Sequence, residues 1–310
     1  MDVLADIFRA LRLRGAVYFR ASFHAPWGMT IPEGRFANFH VVCEGSCWLR
    51  VGEGDELIEL SKGDIVVFPR GHSHSLLCDP NTEPVLAERL ISSPKLDAPA
   101  NSVAFGGAGM ATTSLICGHF EYSRDLPHPL FETLPPVVHL RGSDGDGGWV
   151  IAASALAAEV SAGGESAINT AVDRLGEALL IQTLSTYIRG RDDQASFLGA
   201  IQDRHIGHAI SLMHEELSRD WNLAELADAA SMSRSVFSER FRRMVGTPPM
   251  IYLARWRMIK ARELLVDTGL PVADISERVG YSSEFAFSKA FKKNLGETPG
   301  EVRKFACLAH

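Results

Sequence analysis

One stretch of this chain is written twice, and no other feature narrows its fold as much. Ser231–Pro249 returns as Gly280–Pro299, so that Phe237, Ser238, Phe241, Gly246 and Pro249 are matched at an offset of 50 by Phe287, Ser288, Phe291, Gly296 and Pro299. Arg242 and Arg243 are matched by Lys292 and Lys293. Upstream of the turn the offset is 49, with Leu226 matching Ile275 and Ser233 matching Ser282, which makes the second turn one residue longer.

Each copy reads as a helix-turn-helix. Leu223–Ala230 is built of good helix formers with apolar residues at i, i+3 and i+4. Ser231–Ser233 is the turn, and the Ser233 hydroxyl is placed to cap the next helix. That helix carries Phe237, Phe241 and Val245 on one stripe, to be buried, and presents Arg234, Ser235, Ser238, Glu239 and Arg242 on the other. Gly246, suited to a left-handed cap, and the prolines after it stop the helix. In the second copy Pro271–Val279 is the first helix, Gly280–Ser283 the turn and Glu284–Leu295 the second helix, whose presented face is Glu284, Phe285, Ser288, Lys289 and Lys292. A single copy would read as an amphipathic surface helix. Two copies with matched glycines, serines and basic residues point to double-stranded DNA, with protein interaction alone as the other use of such a pair.

At 310 residues the chain has room for two domains with cores of their own. Its net charge of −7 points away from nucleic acid, so the division of charge matters more than the sum. Residues 204–306 hold 16 Lys and Arg against 13 Asp and Glu, an excess of three, and the remainder therefore carries −10. DNA binding on that balance relies on a few placed cations and on dimerisation rather than on a broad basic surface. The five cysteines, Cys43, Cys47, Cys78, Cys117 and Cys307, are odd in number and lack CxxC spacing, which fits reduced thiols in a cytosol. No apolar run reaches membrane-spanning length, so a cytoplasmic setting without a membrane partner is expected. Met1–Arg14 alternates charged and apolar residues and is expected to be an amphipathic helix packed on the first domain rather than a signal peptide.

From Ala16 to about Tyr122 the pattern is β. The runs Ala16–Phe19, Phe39–Cys43, Cys47–Val51, Leu57–Leu60, Asp64–Phe68 and Ser114–Cys117 are separated by Gly, Pro and Asp signals, as in a small sandwich or barrel. Glu44–Ser46 and Gly52–Gly54 read as hairpin connections. His128–His139 leads out of the barrel, and Arg141–Gly148 reads as a polar loop. A helix follows over about residues 167–189, with Ile168, Val172, Leu175, Leu179, Leu180, Leu184 and Ile188 forming a wide apolar stripe. Packing on the barrel is one use of that stripe, and coupling two copies of the chain is the one expected. Gly190–Gln194 is a hinge, and Asp203 is placed to cap the first helix of the module behind it.

The segment Gly246–Leu265, with Pro249, Tyr252, Arg255, Arg257, Ala261 and Leu264, and the segment Val279–Phe291 resemble the inter-motif signature and second motif of the AraC/XylS family of transcription regulators. The resemblance covers residues from about 204 to 304. It implies a transcription factor that binds promoter DNA sequence-specifically, works with RNA polymerase where it is an activator, and forms a homodimer. A linking helix of about 17 residues would be a spacer of about 25 Å, enough to hold two helices in groove segments about one turn apart. Gly63, Pro69, Gly71 and His74 resemble the second motif of the cupin superfamily, and Gly34–Glu44 partly resembles the first, with His40 followed by Val42 where a metal cupin has a second histidine. That implies a jelly-roll barrel, as in the small-molecule-sensing domain of AraC-type regulators.

The fold expected is therefore α+β and multidomain: a cupin-like sensor barrel over 1–140, a loop and dimerisation helices over 141–203, and an all-α double helix-turn-helix domain over 204–310. Arg234, Arg242, Lys289 and Lys292 would contact phosphates or guanine edges, and Ser235, Ser238 and Ser288 would read or position. Within the barrel three uses stay open. His40 and His74, with Glu44, His72, His24 or His119 as a third ligand, suit zinc or iron, which would make a metal-dependent cupin enzyme with a DNA-binding module the alternative function. The same histidines with Trp27, Trp48 and Phe68 suit a small-molecule pocket without a metal. Cys43, Cys47, Cys78 and Cys117 suit a sensor of chemical stress if their thiolates are accessible, and inert buried thiols if not.

Overall fold

A computed structural model describes residues 3–10, 14–52, 54, 56–91, 103–121, 128–143, 178–187 and 196–308. The chain divides into two compact units, one formed by 1–12, 123–133 and 192–310 and the other by 13–122 and 134–191.

The second of these is built on a ten-stranded sheet of β1 (Arg14–His24), β2 (Gly28–Ile31), β3 (Ala37–Val51), β4 (Leu57–Ser61), β5 (Ile65–Phe68), β6 (His74–Leu77), β7 (Val85–Leu86), β8 (Val103–Gly106), β9 (Ala111–Glu121) and β10 (Val138–Leu140). β3 organises it. Its first half pairs with β5 and β9, and its second half with β4 and β6, so one strand serves both sides of the fold. The change of partner falls at Glu44–Ser46, just after the register with β9 shifts between Val42 and Glu44, and Gly45 takes a φ of 73°. The expected hairpin there is a bulge inside a single strand, so Cys43 and Cys47 lie along one strand rather than on two neighbours. Ala21, Phe23, Trp27, Met29, Val42, Leu49, Phe68, Leu76 and Leu115 fill one core between the two sides.

The chain also returns to this sheet where the sequence suggested that it leaves. β10 pairs antiparallel with β5, and Asp64 fastens it by accepting from Gly142 N at 2.8 Å and lying 3.0 Å from His139 Nε2. Residues 178–187 are helical, with Leu179, Leu180 and Leu184 buried within the single chain. Ile168, Val172, Leu175, Ile188 and the expected hinge Gly190–Gln194 lie outside the described residues.

The other unit is helical. Its principal members are α1 (Val3–Ala10), α2 (Phe197–Gln202), α3 (Ile206–Glu215), α4 (Leu223–Ala229), α5 (Arg234–Val245), α6 (Pro249–Asp267), α7 (Val272–Arg278), α8 (Glu284–Leu295) and α9 (Pro299–Leu308). Asp203, expected to cap α3, ends α2 instead, with His205 at the N-cap of α3; its side chain still accepts from His205 N at 3.0 Å and Ile206 N at 2.9 Å, and it also pairs with Arg240 of α5. Burial opposes its ionisation, but those N–H donors and Arg240 outweigh it and hold the carboxyl below its ordinary pKa.

α1 forms as the alternation predicts but packs on these helices rather than on the sheet. Its Asp6 is buried 3.1 Å from His214 Nδ1 of α3 and 3.2 Å from Lys260 Nζ of α6, and a buried carboxylate goes where its partners are. Around this group His214 stacks on Trp256, and Phe197, Tyr252 and His128 close the cluster.

Candidate functional site

α6 is the spine of the helical unit because it buries residues along its whole length, from Pro249 to Leu265. Tyr252 and Trp256 are buried in its first half, where Tyr252 meets Phe241 of α5 at 5.8 Å between ring centroids. Met258, Ala261 and Leu265, in its second half, join Ile275, Val279, Phe287, Phe291 and Val302 in the core of the second repeat. Nineteen residues make α6 a rod of about 28 Å.

α5 and α8, hung on this rod, are copies in detail. Ser233 caps α5 by accepting from Val236 N, and Ser283 caps α8 by accepting from Ala286 N. Gly246 and Gly296 end them in the left-handed conformation at φ 80° and 78°. Phe237 and Phe241 in one, Phe287 and Phe291 in the other, are buried. The expected partner of Ser233 was Ser282; the cap is Ser283. Ser231 at φ 52° and Gly280 at φ 78° occupy the same left-handed step, and Met232 N and Tyr281 N close equivalent bonds to Ala227 O and Ser276 O. The extra residue is therefore Ser282, just before the second cap.

The presented faces are open. Arg234, Ser235, Glu239 and Arg242 on α5, and Glu284, Phe285, Lys289 and Lys292 on α8, are exposed, while Ser238 and Ser288 are half-buried. Exposed Val236, Arg243 and Lys293 extend these faces. The sequence signal for the two cations was there, since they are a matched pair of the repeat. The two faces differ in charge. Arg234 stands where the second helix has Glu284, and Glu239 where it has Lys289, so charge is inverted at two equivalent positions.

Arg257, midway along α6, holds the repeats in register. Its Nε donates to Leu217 O at 3.0 Å and its Nη2 to Arg219 O at 2.6 Å, and its guanidinium lies against Gly280 in the second turn. A Cβ at position 280 would come within 2.6 Å of Arg257 Nη2.

In the sheet, the structure brings together some of the expected site residues and separates others. His40 Nε2 and His74 Nε2 are 2.8 Å apart, His40 Nδ1 is 3.1 Å from Cys117 Sγ, His74 Nδ1 is 2.9 Å from His72 O, and Phe68 stacks on the His74 ring at 3.5 Å. Burial pushes the pKa of His40 well below its usual value, helped by His74, and brings that of His74 down to about 4. Trp27 belongs to the same core. Trp48 alternates with the buried Cys47 and Leu49 along β3 and so points to the other face.

The donor set does not fit a divalent ion. The two imidazoles are turned onto each other, His24 Nδ1 is 3.0 Å from Gly109 O, Glu44 is exposed on the bulge, and the His119 ring packs on Phe36. Among the described residues no three His, Cys, Asp or Glu side chains converge as metal ligands. Three of the four candidate cysteines do not meet the requirement for accessible thiolates either. Cys43, Cys47 and Cys117 are buried, burial with the Asp64 charge raises the Cys47 pKa to about 12, and burial raises that of Cys117. Cys78 is half-buried, with its sulfur accepting from Trp27 N at 3.2 Å.

Among the described residues no helix is long and apolar enough to cross a membrane. Residues 2–189 match the family described as Cupin, and residues 226–304 the family described as Helix-turn-helix domain. A Streptomyces lividans protein described as an AraC-like transcription regulator is 30% identical over 305 residues, covering 98% of this chain and 98% of its own. The RCS-specific HTH-type transcriptional activator RclR of Escherichia coli K12 is 24% identical over 313 residues, covering 98% of each chain. The solved C-terminal domain of AraT, a response regulator from Geobacillus stearothermophilus, is 33% identical with a TM-score of 0.33, covering 33% of this chain and 86% of that one. The cupin match alone takes in more than half of the residues, and with a helix-turn-helix match behind it and a relative aligned end to end, this chain belongs to the AraC-like transcription regulators, in which a cupin ligand-sensing domain precedes the domain that binds DNA.

Proposed function

We propose that α5 and α8 enter successive major-groove segments on one side of promoter DNA, with Arg234, Arg242, Lys289 and Lys292 on phosphates or guanine edges and Ser235, Ser238, Glu239, Glu284, Phe285 and Ser288 reading or positioning. What carries this reading is the pair of identically capped helices with open faces of net positive charge on one rod of about 28 Å, close to the rise of one turn of duplex. Fluorescence anisotropy with promoter fragments from the source genome tests it. Binding should weaken linearly in log–log salt dependence, and an Arg242→Ala/Lys292→Ala variant should bind more weakly with a shallower slope. Binding without salt dependence, or a double variant indistinguishable from the wild type, would sink it.

The sheet unit, on the same proposal, is a jelly-roll whose His40, His74 and Phe68 group responds to a small molecule or chemical stress, in a cytoplasmic regulator rather than an enzyme. Pairing of two copies uses the helix that includes 178–187, whose Ala178, Ile181 and Ser185 share one side at i, i+3 and i+7 and are exposed or half-buried. Sedimentation of the full chain as a monomer at micromolar concentration would remove that part. Activation, which would work through RNA polymerase, is supported by the Escherichia coli relative's being a transcriptional activator. A promoter reporter whose output falls when the regulator is supplied would contradict it.

A further inference from the structure

One large apolar side chain of α8 lies open to solvent. Phe285 leaves 81% of its surface exposed, although a phenylalanine in the first turn of an ordinary surface helix gains nothing by facing water. It is not a satellite of the core, because Phe287 and Phe291 already fill the buried side of α8. Its stripe instead runs on through Lys289 and Lys292 at i+4 and i+7, both exposed, so the ring sits at the head of a cationic row. The equivalent of Phe285 in the first repeat is Ser235, and the exposed apolar residue of that helix is its neighbour Val236, 53% exposed. Each helix thus offers one large bare apolar side chain in its first turn, the part of a recognition helix that reaches base edges.

The apolar feature of the major groove is the C5 methyl of thymine. Resting on the docking proposed above, we infer that Phe285 is a specificity-determining residue that packs on a thymine methyl in the half of the operator entered by α8. The lysines behind it fix the helix on the backbone, and the ring selects the base. Val236, smaller and one step further along, makes the shorter contact in the other half. The two halves of the operator differ accordingly.

The test begins by selecting duplexes from a randomised library with the full-length protein. In the selected duplex each thymine is replaced in turn by uracil, which removes the methyl and leaves the hydrogen-bonding edge intact. Wild-type protein should lose about fourfold in affinity at one thymine of one half-site, the amount expected for one buried methyl-sized group. Phe285→Ala should bind the thymine and uracil duplexes alike, Phe285→Leu should restore part of the difference, and both should melt like the wild type. Three outcomes overturn the inference: no uracil replacement weakens the wild type, Phe285→Ala keeps the thymine preference, or Phe285→Ala weakens both duplexes equally, as a ring wedged between base steps would. A library that yields no duplex at all overturns the docking itself and the inference with it.

Discussion

His40 and His74 meet Nε2 to Nε2 at 2.8 Å inside the sheet, and one arrangement of protons satisfies them. His74 Nδ1 faces the His72 carbonyl, which can only accept, so the proton of neutral His74 is on Nδ1. Its Nε2 is then the acceptor, His40 donates from Nε2, and His40 Nδ1 accepts from the Cys117 thiol. The low pKa of the histidines and the high pKa of Cys117 are consequences of the same burial, and they keep all three groups neutral.

That pair makes stability depend on pH. Both histidines are neutral in the folded unit at pH values where the unfolded chain, with pKa near 6.5, has begun to take up protons. The unfolded state therefore binds more protons below about pH 6.5, and stability is lost as pH falls, at about 1.4 kcal/mol per pH unit for each such histidine. Thermal unfolding between pH 7.5 and 5 should show this loss. A His40→Leu/His74→Leu variant should flatten the profile. An unchanged slope in that variant would mean that the pair is not the titrating group.

Gly280 and Ser231 hold the same left-handed step of the two turns, at φ 78° and 52°, with opposite consequences for substitution. Gly280→Ala adds the cost of that conformation, about 1–2 kcal/mol, and pushes against Arg257, which would have to release Leu217 O or Arg219 O. The melting temperature of the helical unit should fall. Ser231→Gly relieves the same conformation at an exposed position, and should leave stability unchanged or raise it by up to about 1 kcal/mol. Calorimetry of the two variants side by side decides it, and an equal effect would refute the distinction.

The helix-turn-helix repeat was legible in the sequence because everything that makes it is local: apolar period, capping serines, terminating glycines. Even there, identity of residue type matched Ser233 to Ser282, when the cap geometry pairs it with Ser283. In the sheet, Glu44–Ser46 carried the glycine signature that a tight hairpin and a bulge share, and only the partners of β3 on either side of it separate the two. The helix at Val3–Ala10 was readable from its alternation, but its place was not, since Asp6 finds His214 more than two hundred positions away. The two motif histidines came together as the cupin resemblance implied. Whether a third ligand joins them depends on where His24, Glu44 and His119 fall in three dimensions, which no spacing encodes.

On the docking proposed for α5 and α8, the charge inversion between their presented faces predicts an operator with unlike halves. Arg234 and Glu284 occupy equivalent positions, as do Glu239 and Lys289, and a carboxylate accepts from cytosine N4 where a guanidinium donates to guanine. Arg234→Ala should cost about 1–3 kcal/mol on the intact site and nothing further once the half read by α5 is scrambled. Lys292→Ala should instead weaken binding to all sequences alike and lower the salt slope by about 1. Titrations on intact and half-scrambled duplexes separate the two behaviours, and an Arg234→Ala loss that survives scrambling would assign that residue to the backbone.

Two donors converge on Asp6 from two helices, His214 of α3 and Lys260 of α6. His214 has a lowered pKa, chiefly through burial, so it is neutral: Nδ1–H donates to Asp6 and Nε2 accepts from the Tyr252 hydroxyl at 2.8 Å. Lys260 Nζ donates to the other carboxylate oxygen. Burial works against ionisation of Asp6, but the His214 and Lys260 contacts prevail and hold its pKa below the usual value. Its contribution is therefore present above about pH 4 and is lost as pH falls through the depressed folded value. Asp6→Ala strips two donors of their acceptor in a buried site and should cost about 3 kcal/mol, releasing α1 to limited proteolysis while the C-terminal helices stay resistant. Asp6→Asn keeps an acceptor for His214 and should lose less. Equal protection of α1 in wild type and Asp6→Ala would show that Val3, Ile7 and Ala10, its buried apolar residues, hold the helix without the carboxylate.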